Sequence, residues 1–153
     1  MKVATIVFPV KDGQILLSEK RRGHGAGRLN GYGGKVQTGE RVEAAAMREL
    51  NEESGISANE QDLEKVATIS FSKGGVATFE CHVFFVRAWR GDFIETEEMA
   101  LPRWFAFDAV PFDKMWDSDR AWLELVLKGK RIKAKAFYNE EDTKMIGFEY
   151  EEV

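Results

Sequence analysis

Apolar residues come in short runs along most of the chain, and two stretches change to the period of a helix. Val3 to Val10 is almost continuously apolar and predicts a mostly buried strand. Asp12-Gly13 suits the left-handed backbone of a two-residue hairpin, so Gln14 to Ser18 is expected to return beside that strand. Glu19 to Asn30 reads as a basic, glycine-containing loop, and Gly31 to Lys35 is dense in glycine. Arg41 to Ser54 is rich in Ala, Glu, Arg, Met and Leu and predicts a helix, with Gly55 at its C-terminal cap and Thr38 or Gly39 at its N-cap. Leu63 to Phe71 and Val76 to Trp89 predict strands joined across Lys73-Gly74-Gly75, and Arg103 to Phe107 a short strand. Arg120 to Leu127 predicts a helix with Leu123, Val126 and Leu127 on one side. Ile132 to Tyr138 and Met145 to Tyr150 predict a closing hairpin. Many strands with two helices point to an α/β fold, a mixed sheet flanked by helices.

A length of 153 residues with 44% hydrophobic content suits one domain spanning residues 1–153. There are 22 Lys and Arg against 26 Asp and Glu, a formal net charge of -4, so a nucleic-acid track is not expected. The single cysteine, Cys81, lies in an apolar run and reads as a core residue. Met1 to Val10 lacks a basic leader and a small-residue cleavage site, and no apolar run approaches the ~20 residues of a membrane helix. A soluble, cytoplasmic monomer with no membrane partner is the resulting expectation.

Chemistry concentrates in the first helix. At ~100° per residue, Glu49, Glu52 and Glu53 fall within an arc of roughly 100°. They sit near the helix C-terminus, where the macrodipole favours cations, and like charges there repel by a few tenths of a kcal/mol. A divalent cation would reverse both effects, and carboxylates with backbone carbonyls are the hard oxygen ligands Mg²⁺ prefers. Ala46, Met47 and Leu50 fall on the opposite side and can bury against the sheet. Arg48 is placed to pair with Glu40 and orient a carboxylate. Three acids on a helix are, by themselves, most often a solvated face.

Their spacing is more specific. Gly34, five residues, Glu40, seven residues, Arg48-Glu49-Leu50, one residue, Glu52-Glu53, one residue and Gly55-Ile56 resemble the Nudix box at every fixed position. The resemblance implies the Nudix fold, an α/β/α sandwich with a central mixed sheet, and hydrolysis of a nucleoside diphosphate linked to another group. Gly25 to Val36, Glu97-Glu98-Met99 with Trp104-Phe105, and Pro111-Phe112 with Met115-Trp116 and Trp122 are similar to the oxidised-purine nucleoside triphosphatases of that family. Three departures stand out: Ser118 occupies the place of the first of two base-reading acids, His24 that of an aromatic and Leu29 that of a tryptophan.

The resemblance implies Mg²⁺ ligation by the Gly34 carbonyl, Glu49 and Glu53, with Glu52 close by and Glu98 an extra ligand or base; Mn²⁺ is expected to substitute. It implies a catalytic set of Glu53, Glu52, Glu98, Arg48 and Glu40, the last two as orienting groups. Water would attack the β-phosphorus of a purine nucleoside triphosphate such as 8-oxo-dGTP, releasing the monophosphate and pyrophosphate. Which glutamate activates the water stays open. For the base, Trp116 and Phe71 are candidate stacking walls and Asn30 and Asp119 candidate edge readers. Thr5 aligns with a pocket-lining hydroxyl, and Lys20 is placed to meet phosphate or sugar. Asn30 also reads as a turn former, and Asp119 as a cap for the helix after it. His24 could line the pocket or face solvent, and His82 reads as a packed or surface residue. Hydrolysis of a dinucleotide, ADP-ribose, another sugar nucleotide or a pterin triphosphate is the competing enzymatic reading, and a non-catalytic nucleotide-binding module the third.

Overall fold

The computed structural model describes residues 1–153. Nine strands and two α-helices follow in chain order: β1 (Lys2–Lys11), β2 (Gln14–Glu19), β3 (Leu29–Asn30), β4 (Tyr32–Lys35), α1 (Val42–Ser54), β5 (Leu63–Lys73), β6 (Val76–Val86), β7 (Arg103–Ala106), α2 (Asp117–Leu127), β8 (Ile132–Tyr138) and β9 (Met145–Glu152). The strands order as β3-β2-β1-β6-β5-β8-β9, with β4 on β1 and β7 on β2. The β1–β6 and β5–β8 pairs are parallel and the other pairs antiparallel, so the sheet is mixed as expected.

Alternation along β1 divides the core. Val7 packs on one face with Leu16, Tyr32, Ala46, Leu50 and Ile56, so α1 covers that side. Phe8 and Val10 pack on the other with Trp122, Leu123 and Val126, so α2 covers that one. The result is an α/β/α sandwich with a separate apolar core under each helix. Asp12 and Gly13 both take positive φ, 52° and 73°, which closes the β1–β2 hairpin. Gly55 caps α1 in the left-handed conformation, its N–H donating to the Asn51 carbonyl.

Three boundaries differ from expectation. Neither Thr38 nor Gly39 caps α1: Arg41 is the N-cap, with no side-chain bond, because the Glu40 N–H turns back to the Gln37 carbonyl and spends the preceding residues on a turn. Helix α2 begins three residues early, which moves Asp119 inside its first turn. Strand β6 ends at Val86 and not at Trp89, which instead packs with Phe93 and Trp104.

The glycine-dense stretch is itself strand β4. It pairs with the first half of β1, Thr5 opposite Gly34 and Ile6 opposite Gly33, while β2 takes the last residues on that same edge. A Cβ on Gly33 would overlap the Thr5 carbonyl oxygen and the backbone of Ile6. Backbone cannot swing aside as a side chain can, so this position demands glycine. We expect Gly33→Ala to destabilise the protein by roughly 3 kcal/mol, near 10 °C in Tm, in a thermal melt. An unchanged Tm would show that β4 does not hold this register.

Candidate active site

The four box acids lie around one guanidinium or one amide. The Arg48 Nε and Nη2 donate to the two oxygens of Glu40, at 2.8 and 3.0 Å, a bidentate fork that holds the Glu40 carboxyl down at about 2. The Arg48 Nη1 donates to Glu49 at 2.8 Å and reaches Glu52 at 3.4 Å. Its remaining reach is to the Lys35 carbonyl, which ties the helix to the end of β4. The pairing of Arg48 with Glu40 is as the spacing suggested.

Glu53 separates from this set. The acids share a helical arc, yet Glu52 faces solvent and Glu53 is buried, its Oε1 accepting the Gly33 N–H at 3.0 Å. Burial raises its carboxyl to about 7, against the Gly33 N–H and Lys20, which favour the charged form. The Glu49 carboxyl lies over Gly34, where a Cβ would stand 2.5 Å from its carboxyl carbon, so glycine leaves the cradle that the acid fills. Carboxylate oxygens and a strand carbonyl form an oxygen-only donor set, which fits a hard divalent cation. Glu40, Glu49 and Glu52 are drawn to Arg48 and Glu53 to the Gly33 N–H, and no group of three acids, histidines or cysteines is drawn tightly enough to hold an ion as it stands. Glu98, expected beside these acids, has its side chain on Arg22 at 2.7 Å and its carbonyl on the Arg21 N–H. It acts on Glu53 only through its charge, which raises the Glu53 carboxyl.

A cavity of about 300 Å³ opens beside Glu53 and Gly34, on the α2 side of β1. Thr5, Lys20, Asn30, Phe71, Trp116 and Asp119 all line it, so the structure gathers every residue expected to touch substrate at one place. Thr5 is buried and its Oγ1 has no hydrogen-bond partner. Asn30 ends strand β3 and forms no turn; its Oδ1 accepts the Gly31 N–H at 2.9 Å and its amide NH₂ stays uncommitted. Phe71 stacks on Phe79 with centroids 4.6 Å apart. Trp116 stacks on His24 at 4.8 Å and carries the Arg28 guanidinium 4.0 Å from its ring centre.

Asp119 sits in the first turn of α2 and caps the helix from within. Its Oδ2 accepts the Trp116 N–H at 2.9 Å and its Oδ1 the Trp122 indole N–H at 3.0 Å. Capping and a place on the cavity wall therefore coexist. Burial pushes its carboxyl up to about 7, opposed by those two donors and by Arg28.

Phe79 and Tyr138 also line the cavity and carried no signal in the sequence; Ser118 and His24, which the resemblance set at a base-reading and an aromatic position, line it as well. Phe79, Ser118 and Tyr138 come from separate elements, and His24 from the loop after β2. The alternation of β5, β6 and β8 marks which side of each strand is buried, but not which buried side chains meet. Cys81 also lines the wall; burial pushes its thiol up to about 12, which excludes it as a nucleophile near neutral pH. His82 lies outside, its Nδ1 2.6 Å from the Lys65 ammonium.

The structure is an α/β/α sandwich that sets a glycine strand and an acidic helix against a ligand-sized cavity, the layout of an enzyme site. Residues 1–126 match the family model described as the NUDIX domain, and the chain belongs to the Nudix family. It is 44% identical over 132 residues to an oxidized purine nucleoside triphosphate hydrolase of Danio rerio, covering 86% of this chain and 83% of that protein. It is 41% identical over 143 residues to the Mus musculus protein of the same description, covering 93% and 90%. Among solved structures, a mutator MutT protein from Bacillus halodurans superposes with a TM-score of 0.84 at 21% identity, covering 99% of this chain and 98% of that one. A MutT NUDIX hydrolase from Burkholderia pseudomallei gives 0.70 at 29% identity, over 80% and 95%. No helix is long and apolar enough to cross a membrane.

Asp119 gives a pH test. A carboxyl whose folded pKa is raised from 3.8 to about 7 binds its proton more tightly folded than unfolded. Its contribution is therefore complete below pH ~4 and lost as pH rises through ~7. We expect the stability of the parent relative to Asp119→Asn to fall between pH 4 and 8 by about 4 kcal/mol in urea titrations. A difference constant with pH would mean Asp119 titrates normally.

Proposed function

We propose that this protein hydrolyses oxidised purine nucleoside triphosphates such as 8-oxo-dGTP to the monophosphate and pyrophosphate, with Mg²⁺ as its metal and Mn²⁺ able to replace it. One observation carries the reading: a single cavity joins Glu53 and Gly34 at one side to Asn30, Asp119 and two aromatic walls at the other. Phosphate chemistry and base recognition thus share one space of a size suited to a small ligand. The two vertebrate relatives named for oxidized purine triphosphates, similar over most of the chain, support the substrate class.

The Gly34 carbonyl, Glu49 and Glu53 would hold the cation, with Glu52 and Glu98 completing the acidic surround. When bound, such an ion neutralises phosphate oxygens during transfer. The chain does the rest. Arg48 fixes Glu49 through its fork to Glu40. The Gly33 N–H holds Glu53 against β4. Lys20, on the cavity wall, supplies a fixed positive charge for phosphate or sugar. Phe71 and Trp116 give the base its apolar slot. Sanitation of a nucleotide pool would follow from such an activity.

Glu53→Gln keeps the hydrogen bond to Gly33 and removes the titratable oxygen. We expect its kcat on 8-oxo-dGTP to fall about 10³-fold with an unchanged melt. Chelation should abolish pyrophosphate release, and added Mg²⁺ restore it. Parent-like turnover by Glu53→Gln would remove that residue from the chemistry. AMP released from ADP-ribose, with no pyrophosphate from any triphosphate, would replace the substrate class.

A further inference from the structure

The last carbonyls of a helix have no partner within it, and at the end of α1 a segment far along the chain supplies them. The Ile94 N–H donates to the Ser54 carbonyl at 2.8 Å, and the Thr96 hydroxyl donates to the Glu53 carbonyl at 3.4 Å. The same Oγ1 accepts the Met99 N–H at 3.1 Å and the Glu98 N–H at 3.3 Å, so its one proton and both lone pairs are in use. The Thr96 N–H closes the turn on the Met99 carbonyl at 2.9 Å. Met99 is buried and pairs with Lys20 in an isolated antiparallel bridge, and the Arg21 N–H donates to the Glu98 carbonyl at 2.8 Å. One hydroxyl therefore stands where the end of α1, the 96–99 turn and the chain leaving β2 meet.

This junction brings like charges together. Glu97 and Glu98 follow Thr96, and Glu49, Glu52 and Glu53 lie on the helix that it caps. Arg21 pairs with Glu95 and Arg22 with Glu98, but these exposed pairs join loop to segment and not segment to helix, and salt screens them. The bonds that tie the segment to α1 are those of the Ile94 N–H and the Thr96 hydroxyl, both neutral groups. We infer that Thr96 is a positioning residue for the proposed hydrolysis: its hydroxyl fixes the spacing between Glu53 on one side and Glu98 with Lys20 on the other, where the phosphates and their cation would sit. The inference rests on the proposed triphosphatase activity. Thr96 does not line the cavity and touches no reacting atom. It acts through the backbone of two acids, and a shift of ~1 Å among such groups can cost on the order of 10² in rate. The base slot is built from other elements, so the effect falls on the chemical step and not on nucleotide binding.

The test compares the parent with Thr96→Val, which keeps the shape and removes the hydroxyl, and with Thr96→Ser, which keeps the hydroxyl. Turnover is measured on 8-oxo-dGTP, and Mn²⁺ binding is measured without substrate from the spin-resonance signal of the free ion. We expect Thr96→Val to lower kcat about 30-fold with KM within about twofold, and to weaken Mn²⁺ binding about fivefold at unchanged stoichiometry. Thr96→Ser should match the parent in both. A merely structural role would instead reduce the fraction of active protein, and with it the stoichiometry, at unchanged affinity. Amide exchange in the metal-free parent reads the junction without any variant: the Glu98 and Met99 amides should exchange at least about tenfold more slowly than in an unfolded chain. Unprotected amides there would overturn the inference. So would a Thr96→Val protein with parental kcat and Mn²⁺ affinity, a valine variant that does not fold, or a Thr96→Ser protein as impaired as the valine variant. A parent that turns over no purine triphosphate fails the proposed activity itself, whereas an active parent with an indifferent Thr96→Val fails this inference alone.

Discussion

Gly33 lies so close to the Thr5 carbonyl that no side chain fits between them, and three features of the site follow from that contact. It pairs β4 with the start of β1, which leaves Thr5 on the cavity wall. It turns the Gly33 N–H toward α1, where Glu53 takes it. It sets Gly34 under the Glu49 carboxyl, with Arg48 reaching past to the Lys35 carbonyl. A side chain at Gly33 would push β4 from β1, and one at Gly34 would displace the Glu49 carboxyl, so the acids are positioned by close backbone approach.

The charges around this contact are divided by burial. Glu40, Glu49 and Glu52 are gathered by one guanidinium, and the Arg48 fork with the Gln37 N–H keeps the Glu40 carboxyl low. Glu53 and Asp119, both on the cavity wall, have their carboxyls raised to about 7 by burial. Each is steadied by donated N–H bonds, which favour the charged form and limit the rise. The cavity therefore carries two carboxyls that titrate near neutrality at different places on its wall, one on the acidic helix and one at the start of α2.

What could be seen in the sequence was local. Asp12-Gly13 closes its hairpin, Gly55 ends α1, and the eight-residue step from Glu40 to Arg48 becomes a bidentate fork. The six residues that the resemblance implied for substrate binding meet in one cavity. Features set by partners far along the chain were not legible. Glycine carries no strand preference, so β4 is visible only against β1. The inward turn of Glu53 depends on an N–H twenty residues away. Helix α2 starts at Asp117 because Asp119 reaches back to the Trp116 N–H, a bond that helix propensity does not encode.

The two ends of the cavity differ in how much substitution they tolerate, and this follows from what builds them. At the acidic end the positions are fixed by backbone approach and by one arginine fork, so a change there alters the geometry itself. At the base end the wall is made of side chains from separate elements, Asn30, Phe71, Ser118, Asp119 and Tyr138, each replaceable without moving a strand. A fold kept at a TM-score of 0.84 with 21% identity shows how far side chains can change around a fixed backbone. Ser118 standing where an acid is expected is a change of that second kind.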